Sequence, residues 1–144
     1  MKVFFSGSIR GGRELLSVYQ YLCTFIVSEG HEVLSEHVVD PQLEDIESSM
    51  TEQEIFTRDM DLLGHSACLI AEVTIPSIGV GYEVCSAVQR NMPVLCLYRS
   101  GSHVSSMILG NRNVVLQGYS IREELDSIVL GFLASLQVKY RDNS

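Results

Sequence analysis

The chain has 144 residues, 46% of them hydrophobic and 19% charged, which suits one folded domain with a single core and excludes a disordered segment. Its net charge of −8 lacks the basic surplus of a protein that binds nucleic acid polymers, although a single phosphate needs only local donors. No apolar run nears the ~20 residues of a membrane span, and Arg10, Gly11 and Gly12 interrupt any secretory signal pattern early, so a soluble protein of the cytoplasm (or of the nucleus, in a eukaryote) is expected.

Residues 2–5, KVFF, read as a first strand, which ends in the turn SGSIRGG at residues 6–12. A helix is expected over residues 13–28, where Leu15, Val18, Tyr19, Leu22, Phe25 and Ile26 recur at a 3–4 spacing, with Gly30 placed to end it. Residues 31–34 predict a short second strand near an edge. Residues 35–50 are polar and acidic and read as a long loop of the kind that forms a lid or binding loop. Thr51 and Glu54 have the spacing of a capping box, opening a helix to about Leu63 that carries Asp59 near its apolar face.

The stretch ACLIAEVTIPSIGVGYEVCS at residues 67–86 is the centre of the chain. Residues 67–71 have the length and composition of a buried strand. Pro76 cannot donate to a sheet ladder, and after Gly79 and Gly81 a helix is expected from near Tyr82 to Arg90. That places Glu83 in a first helical turn just past the carboxyl end of a strand. Residues 93–98 predict a fourth strand, 104–109 one or two helical turns, 114–117 a fifth strand and 121–138 a closing helix, with 139–144 frayed. Cys23, Cys68, Cys85 and Cys96 lie far apart in apolar patterns with no CxxC pair, which predicts buried free thiols in a reducing compartment and no zinc site.

Strand–helix alternation along residues 1–144 predicts a single α/β domain with a doubly wound parallel sheet of flavodoxin-like order 2-1-3-4-5. In that order the loops after the first and third strands, at residues 6–12 and 74–81, meet at the switch point where ligands bind.

The chemistry follows from those two loops. The first is neither a P-loop nor GxGxxG, yet Ser8 and Arg10 sit where a helix opens and could hold an anion or a sugar. Ser77 and the backbone of residues 77–79 could hold an anion in the same way. Glu83 reads either as a charge satisfying a helix dipole or as a carboxylate facing a reacting carbon. Asp59 reads either as a solvent-facing helix charge or as a second carboxylate, and a converging pair suits displacement at an anomeric carbon. His37 reads by pattern as a loop histidine. The histidines show no metal-ligand spacing, and the absence of GxSxG argues against a Ser–His–Asp hydrolase. No metal and no cofactor are expected.

The segments FSGSIRGGR at residues 5–13, EHV at 36–38, Asp59, AEVT at 71–74, PSIGVGYE at 76–83 and SSMI at 105–108 resemble the 2′-deoxynucleoside 5′-monophosphate N-glycosidase (Rcl) family, which groups with the nucleoside 2-deoxyribosyltransferases of flavodoxin-like fold. The resemblance spans nearly the whole chain. It implies hydrolysis of the C1′–base bond of a nucleoside 5′-monophosphate. Glu83 would be the nucleophile of a covalent sugar intermediate, and Asp59 a second acid for sugar positioning and proton transfer. It implies substrate contacts from Gly7, Ser8, Ile9, Arg10 and Gly11 in the first loop, from His37 beside the base, and from Ser77 and Gly79 at the phosphate. It also implies a homodimer in which Ser105, with Met107 beside it, completes the neighbour's site. Where deoxy-selective members of the family carry tyrosine near the sugar, this chain has Phe4, which makes a ribonucleotide such as CMP an alternative substrate. A nucleotide-binding module without catalysis and a deoxyribosyl transferase are the other readings.

Overall fold

A computed structural model describes residues 1–143. Five strands, β1 (Lys2–Ser6), β2 (Glu32–Val33), β3 (Cys68–Glu72), β4 (Val94–Arg99) and β5 (Val115–Tyr119), form one sheet in the order β2-β1-β3-β4-β5. Every pairing is parallel. Residues 3–5 and 68–71 are fully or almost fully buried, because a parallel sheet covered by helices leaves no solvent face. Alternation along β1 divides the core in two. Val3 and Phe5 pack with α1 (Leu16–Ser28) and α6 (Glu124–Asp142). Phe4 packs on the opposite side, with Leu63 of α3 (Glu52–Gly64), Val80, Val84 and Ala87 of α4 (Ile78–Gln89), and Ile108 of α5 (Ser106–Leu109).

The predicted strand order and helical layers are those observed, and several boundaries differ. α1 begins at Leu16, because residues 13–15 form a turn in which Arg13 is occupied elsewhere. Its guanidinium donates to the carbonyls of Ser8, Val38 and Asp40. Those bonds also bear on the segment read as a long loop. Residues 35–50 hold a 3-10 turn (Glu36–Val39) and a short helix, α2 (Leu43–Glu47), anchored by buried Val38 and Leu43. The acidic composition concealed this order because its anchors are few and its cation, Arg13, lies elsewhere in the chain.

α4 begins at Ile78, four residues before the expected start. Ser77 adopts an extended N-cap conformation and its hydroxyl accepts from the Val80 N–H at 3.3 Å. A serine cap contributes about 1 kcal/mol, which offsets the cost of about one helical glycine, and burial of Val80, Val84 and Ala87 carries the helix through both Gly79 and Gly81. Glu83 consequently sits in the second turn, not the first. Cys85, expected to be buried, is exposed, because the helix turns Val80, Val84 and Ala87 inward. α6 continues to Asp142 through residues expected to fray, and the same expectation for Ser144 falls outside the described residues. Among the described residues no helix is long and apolar enough to cross a membrane.

The switch point joins the two loops. Ser6 is in register with Ala71, so the chain leaves β1 and β3 side by side. The approach is so close that a Cβ on Gly11 would lie 2.5 Å from the Pro76 carbonyl oxygen. Glycine at position 11 is a condition of that contact.

Candidate active site

A cavity of about 350 Å³ opens at the carboxyl ends of β1 and β3. One wall is the first loop, with Gly7, Ile9 and Arg10. A second is the start of α4, with Ser77, Gly79 and Glu83. The third is one face of α3, where Glu52, Ile55, Phe56, Asp59 and Met60 recur at helical spacing. Phe56 of α3 and Tyr82 of α4 meet edge to face at its mouth, with centroids 5.9 Å apart.

Glu83 is the most perturbed acid. Burial pushes its carboxyl up to about 7, and the negative charge of Asp59 adds to the rise. The hydrogen bond from Ser6 Oγ to Glu83 Oε1, 2.9 Å long, opposes it. The helix dipole expected to keep Glu83 ionised fades within the first turn, and Glu83 lies beyond it. Its elevated proton affinity is therefore a consequence of desolvation.

Asp59 behaves in the opposite way. Burial raises its proton affinity, but hydrogen bonds from His37 and Arg58 outweigh burial and hold the carboxyl below its ordinary value. His37 Nε2 lies 3.1 Å from Oδ1, and Arg58 Nε lies 2.9 Å from the same oxygen. An ionised carboxylate only accepts, so His37 Nε2 carries the proton. Both donors fall on Oδ1, so this carboxylate, which lines the cavity, is held through one of its oxygens. The guanidinium of Arg58 also pairs with Glu47, a buried carboxylate on α2. Two carboxylates in one cavity thus have proton affinities driven apart, the condition under which they take different chemical roles.

The N-terminus of α4 supplies a place for an anion. Its first-turn N–H groups are unpaired by the helix itself, a Cβ at Gly79 would meet Ser77 Oγ at 3.9 Å and nothing closer, and Arg10 brings a cation to the same cavity. Gly79 and Glu83 are one turn apart on one face of α4, about 6 Å along the axis. An anion held at the helix start and a carbon held at Glu83 would belong to one small molecule.

Of the residues singled out in the sequence, Glu83, Asp59, Gly7, Ile9, Arg10, Ser77 and Gly79 line this cavity. The others do not. Phe4 is fully buried behind it in the core. Ser8 is fully buried, its N–H donating to the Tyr19 hydroxyl and its own Oγ without a partner among the described residues. Gly11 packs against Pro76, and His37 stands behind Asp59. Ser105 caps α5 and, with exposed Met107, lines a neighbouring cleft of about 470 Å³ that shares Ser77 and Val80. Ser6, Arg58 and Glu47 were not anticipated. Ser6 lies within the quoted SGSIRGG motif, whereas nothing local distinguishes Glu47 from its acidic neighbours.

The sequence matches the family model described as nucleoside 2-deoxyribosyltransferase over residues 3–126. The chain belongs to that family. Among nucleoside 2-deoxyribosyltransferase relatives, a protein of Methanococcoides burtonii named as a 2′-deoxynucleoside 5′-phosphate N-hydrolase is 58% identical over 111 residues, covering 77% of this chain and 91% of that protein. A 5-hydroxymethyl-dUMP N-hydrolase of Tetraodon nigroviridis is 39% identical over 142 residues, covering 94% and 99%. The solved structure of a CMP N-glycosidase from Clostridium botulinum superposes with a TM-score of 0.66 at 19% identity, covering 90% of this chain and 98% of that one. It shares the doubly wound fold of this nucleoside 2-deoxyribosyltransferase-family chain, including its flavodoxin-like strand order.

Proposed function

We propose that the protein hydrolyses the N-glycosidic bond of nucleoside 5′-monophosphates, releasing the free base and a sugar 5-phosphate. The observation that carries this reading is the convergence of Glu83 and Asp59 on one cavity into which the α4 N-terminus opens. Binding a phosphorylated ligand requires neither carboxylate. Relatives named as N-hydrolases of 2′-deoxynucleoside 5′-phosphates support the same substrate class.

In the reaction we infer, the 5′-phosphate sits at Ser77, Gly79 and Arg10, and this remote binding energy holds C1′ against Glu83. The Glu83 carboxylate adds to C1′ as the C1′–N bond breaks. The bonding pair leaves with the base, which takes up a proton. Water then attacks C1′ of the glycosyl ester, loses a proton, and frees the sugar 5-phosphate with Glu83 again a carboxylate. Asp59, held ionised by His37 and Arg58, suits acceptance of a sugar hydroxyl and stabilisation of positive charge on the ring more than proton donation. Ile9 and the apolar face of α3 would border the base.

Phe4 favours a second substrate reading. It has no hydroxyl and no exposed surface, so it contributes nothing to discrimination at C2′, and CMP-type ribonucleotides join the candidates. Exposed Met107, which lines the cleft holding Ser105, and exposed Ile78, which lines the adjoining cavity, support a homodimer in which that cleft meets a second copy. Four free thiols suit a reducing, cytoplasmic setting.

Base release from a panel of ribo- and deoxyribonucleoside 5′-monophosphates, with the matching nucleosides, tests the reading in wild type and Glu83→Ala. Release from nucleotides but not nucleosides is expected, and Glu83→Ala should bind nucleotide yet release no base. Binding without release in the wild type would make the protein a nucleotide-binding module. Transfer of the sugar to an added acceptor base would make it a transferase.

A further inference from the structure

We infer that Arg58 is a positioning residue of this site: its guanidinium bridges the Asp59 carboxylate and the buried Glu47, fixing the Asp59 carboxylate through Oδ1 and joining α2 to the reaction centre. The inference rests on the N-glycosidase reading and adds a residue and a role to it.

Four carboxylates, Glu47, Glu52, Asp59 and Glu83, line one cavity that, in the proposed reaction, must also accept a phosphorylated ligand. Like charges at this separation disfavour one another's ionisation. The groups that face Asp59 are His37 from the 3-10 turn, Arg58 on α3 itself, Glu47 across from α2 and Glu83 across from α4. Among them Arg58 is the permanent cation. Its Nε bonds Asp59 Oδ1 at 2.9 Å while an Nη nitrogen bonds Glu47, so one planar fork serves two acids on two elements. The other Nη nitrogen approaches Met50 Sδ at 3.6 Å, which confines the guanidinium further. With Oδ1 held by both Arg58 and His37, the Asp59 side chain cannot rotate without losing two charge-assisted bonds. The same positive charge favours the ionised form of Glu83. Lysine could not reproduce this geometry, because an ammonium is a point charge without a fork.

The experiment compares Arg58→Met, Arg58→Lys and Glu47→Gln with wild type by pH–rate profiles, thermal denaturation and carbon NMR of the Asp59 carboxyl. Methionine keeps most of the packing and removes the charge. A misplaced catalytic carboxylate costs about 100-fold in rate, so Arg58→Met should lose about that in kcat with KM little changed. Its acidic limb in kcat/KM should move to higher pH, and its Asp59 resonance should titrate at higher pH. Arg58→Lys should return the limb toward wild type while recovering only part of kcat. Glu47→Gln leaves the Nε bond in place and removes a negative charge, so its limb should move the opposite way. If Arg58→Met melts earlier but keeps wild-type kcat, pH limb and Asp59 titration, Arg58 only ties α2 to α3 and the inference is overturned. Should Arg58→Met fail to fold, wild-type kcat in Arg58→Lys, which keeps the charge and loses the fork, overturns it as well. Wild-type turnover in the same series separates the two levels. No base release at all overturns the N-glycosidase reading, while the Asp59 titration still decides the role of Arg58.

Discussion

Ser6 Oγ, at the end of β1, donates a 2.9 Å hydrogen bond to Glu83 Oε1 on α4, across 77 positions of sequence. It ties the end of β1 to α4 through the carboxylate to which the proposed reaction assigns the attack. The bond favours ionised Glu83 against a burial that favours the neutral acid.

The pH dependence of turnover follows from that balance. In the proposed reaction Glu83 attacks only as a carboxylate, and its carboxyl is raised to about 7. The kcat/KM for a nucleoside 5′-monophosphate should therefore fall tenfold per pH unit well below 7 and level off above it. Ser6→Ala removes the opposing hydrogen bond and should move this limb to higher pH. A limb that stays in place in Ser6→Ala would show that the hydroxyl does not control Glu83.

Stability should depend on Glu83 with the sign opposite to that of activity. A carboxyl raised in the folded state contributes stability that is present below its unfolded value of 4.5 and is lost as pH rises through about 7. The difference corresponds to about 3 kcal/mol. Glu83→Gln keeps an acceptor for Ser6 and never ionises. It should melt above wild type at pH 8, with the gap closing below pH 4.5. Equal melting temperatures at both pH values would contradict the buried, perturbed carboxylate.

Ser77 is the N-cap of α4 and, in the proposed reaction, part of the anion site, and the two roles are separable. As N-cap it accepts from the Val80 N–H, so Ser77→Ala should destabilise the fold by about 1 kcal/mol in denaturant titration. As part of the anion site it should raise KM for nucleotides, with less effect on binding of the matching nucleosides. Ser77→Gly, which costs only a few tenths of a kcal/mol as a cap, should keep the stability and still raise KM.

Gly11 is constrained by contact with Pro76. Gly11→Ala would set a Cβ against a backbone carbonyl at 2.5 Å, which side-chain motion cannot relieve. A loss of about 1–3 kcal/mol is expected, together with slower turnover because the two site-forming loops are pushed apart. Gly81→Ala meets nothing within 4 Å and should be neutral or stabilising by the usual helix preference, which supplies the control on glycine replacement.

Much of this architecture was legible in the chain alone. The apolar runs at residues 2–5, 67–71 and 93–98 carry their strands because both sheet faces are covered, and alternation with helices implies the parallel order. Thr51 announces α3 through its own cap, which accepts from the Glu54 N–H. The carboxylates Glu83 and Asp59 were recognisable as candidates because motif and helical spacing are local. Local reasoning failed at Ser77, where a cap together with the burial of Val80, Val84 and Ala87 outweighed two glycines, and over residues 35–50, where Arg13 supplies order from outside the segment.

The sequence by itself determined the five strands and the main helices between them, their order in the sheet, and that two unusual loops meet at one edge. Those properties depend on neighbours one to four residues away and on the chirality of strand crossovers. Only the tertiary structure decided that Asp59 faces Glu83, that Phe4 lies behind the cavity, and that Arg58 holds two acids at once. Proton affinity at Glu83 is set by desolvation and by charges from β1, α2 and α3. No local pattern encodes how residues so distant in sequence share one small volume of low dielectric.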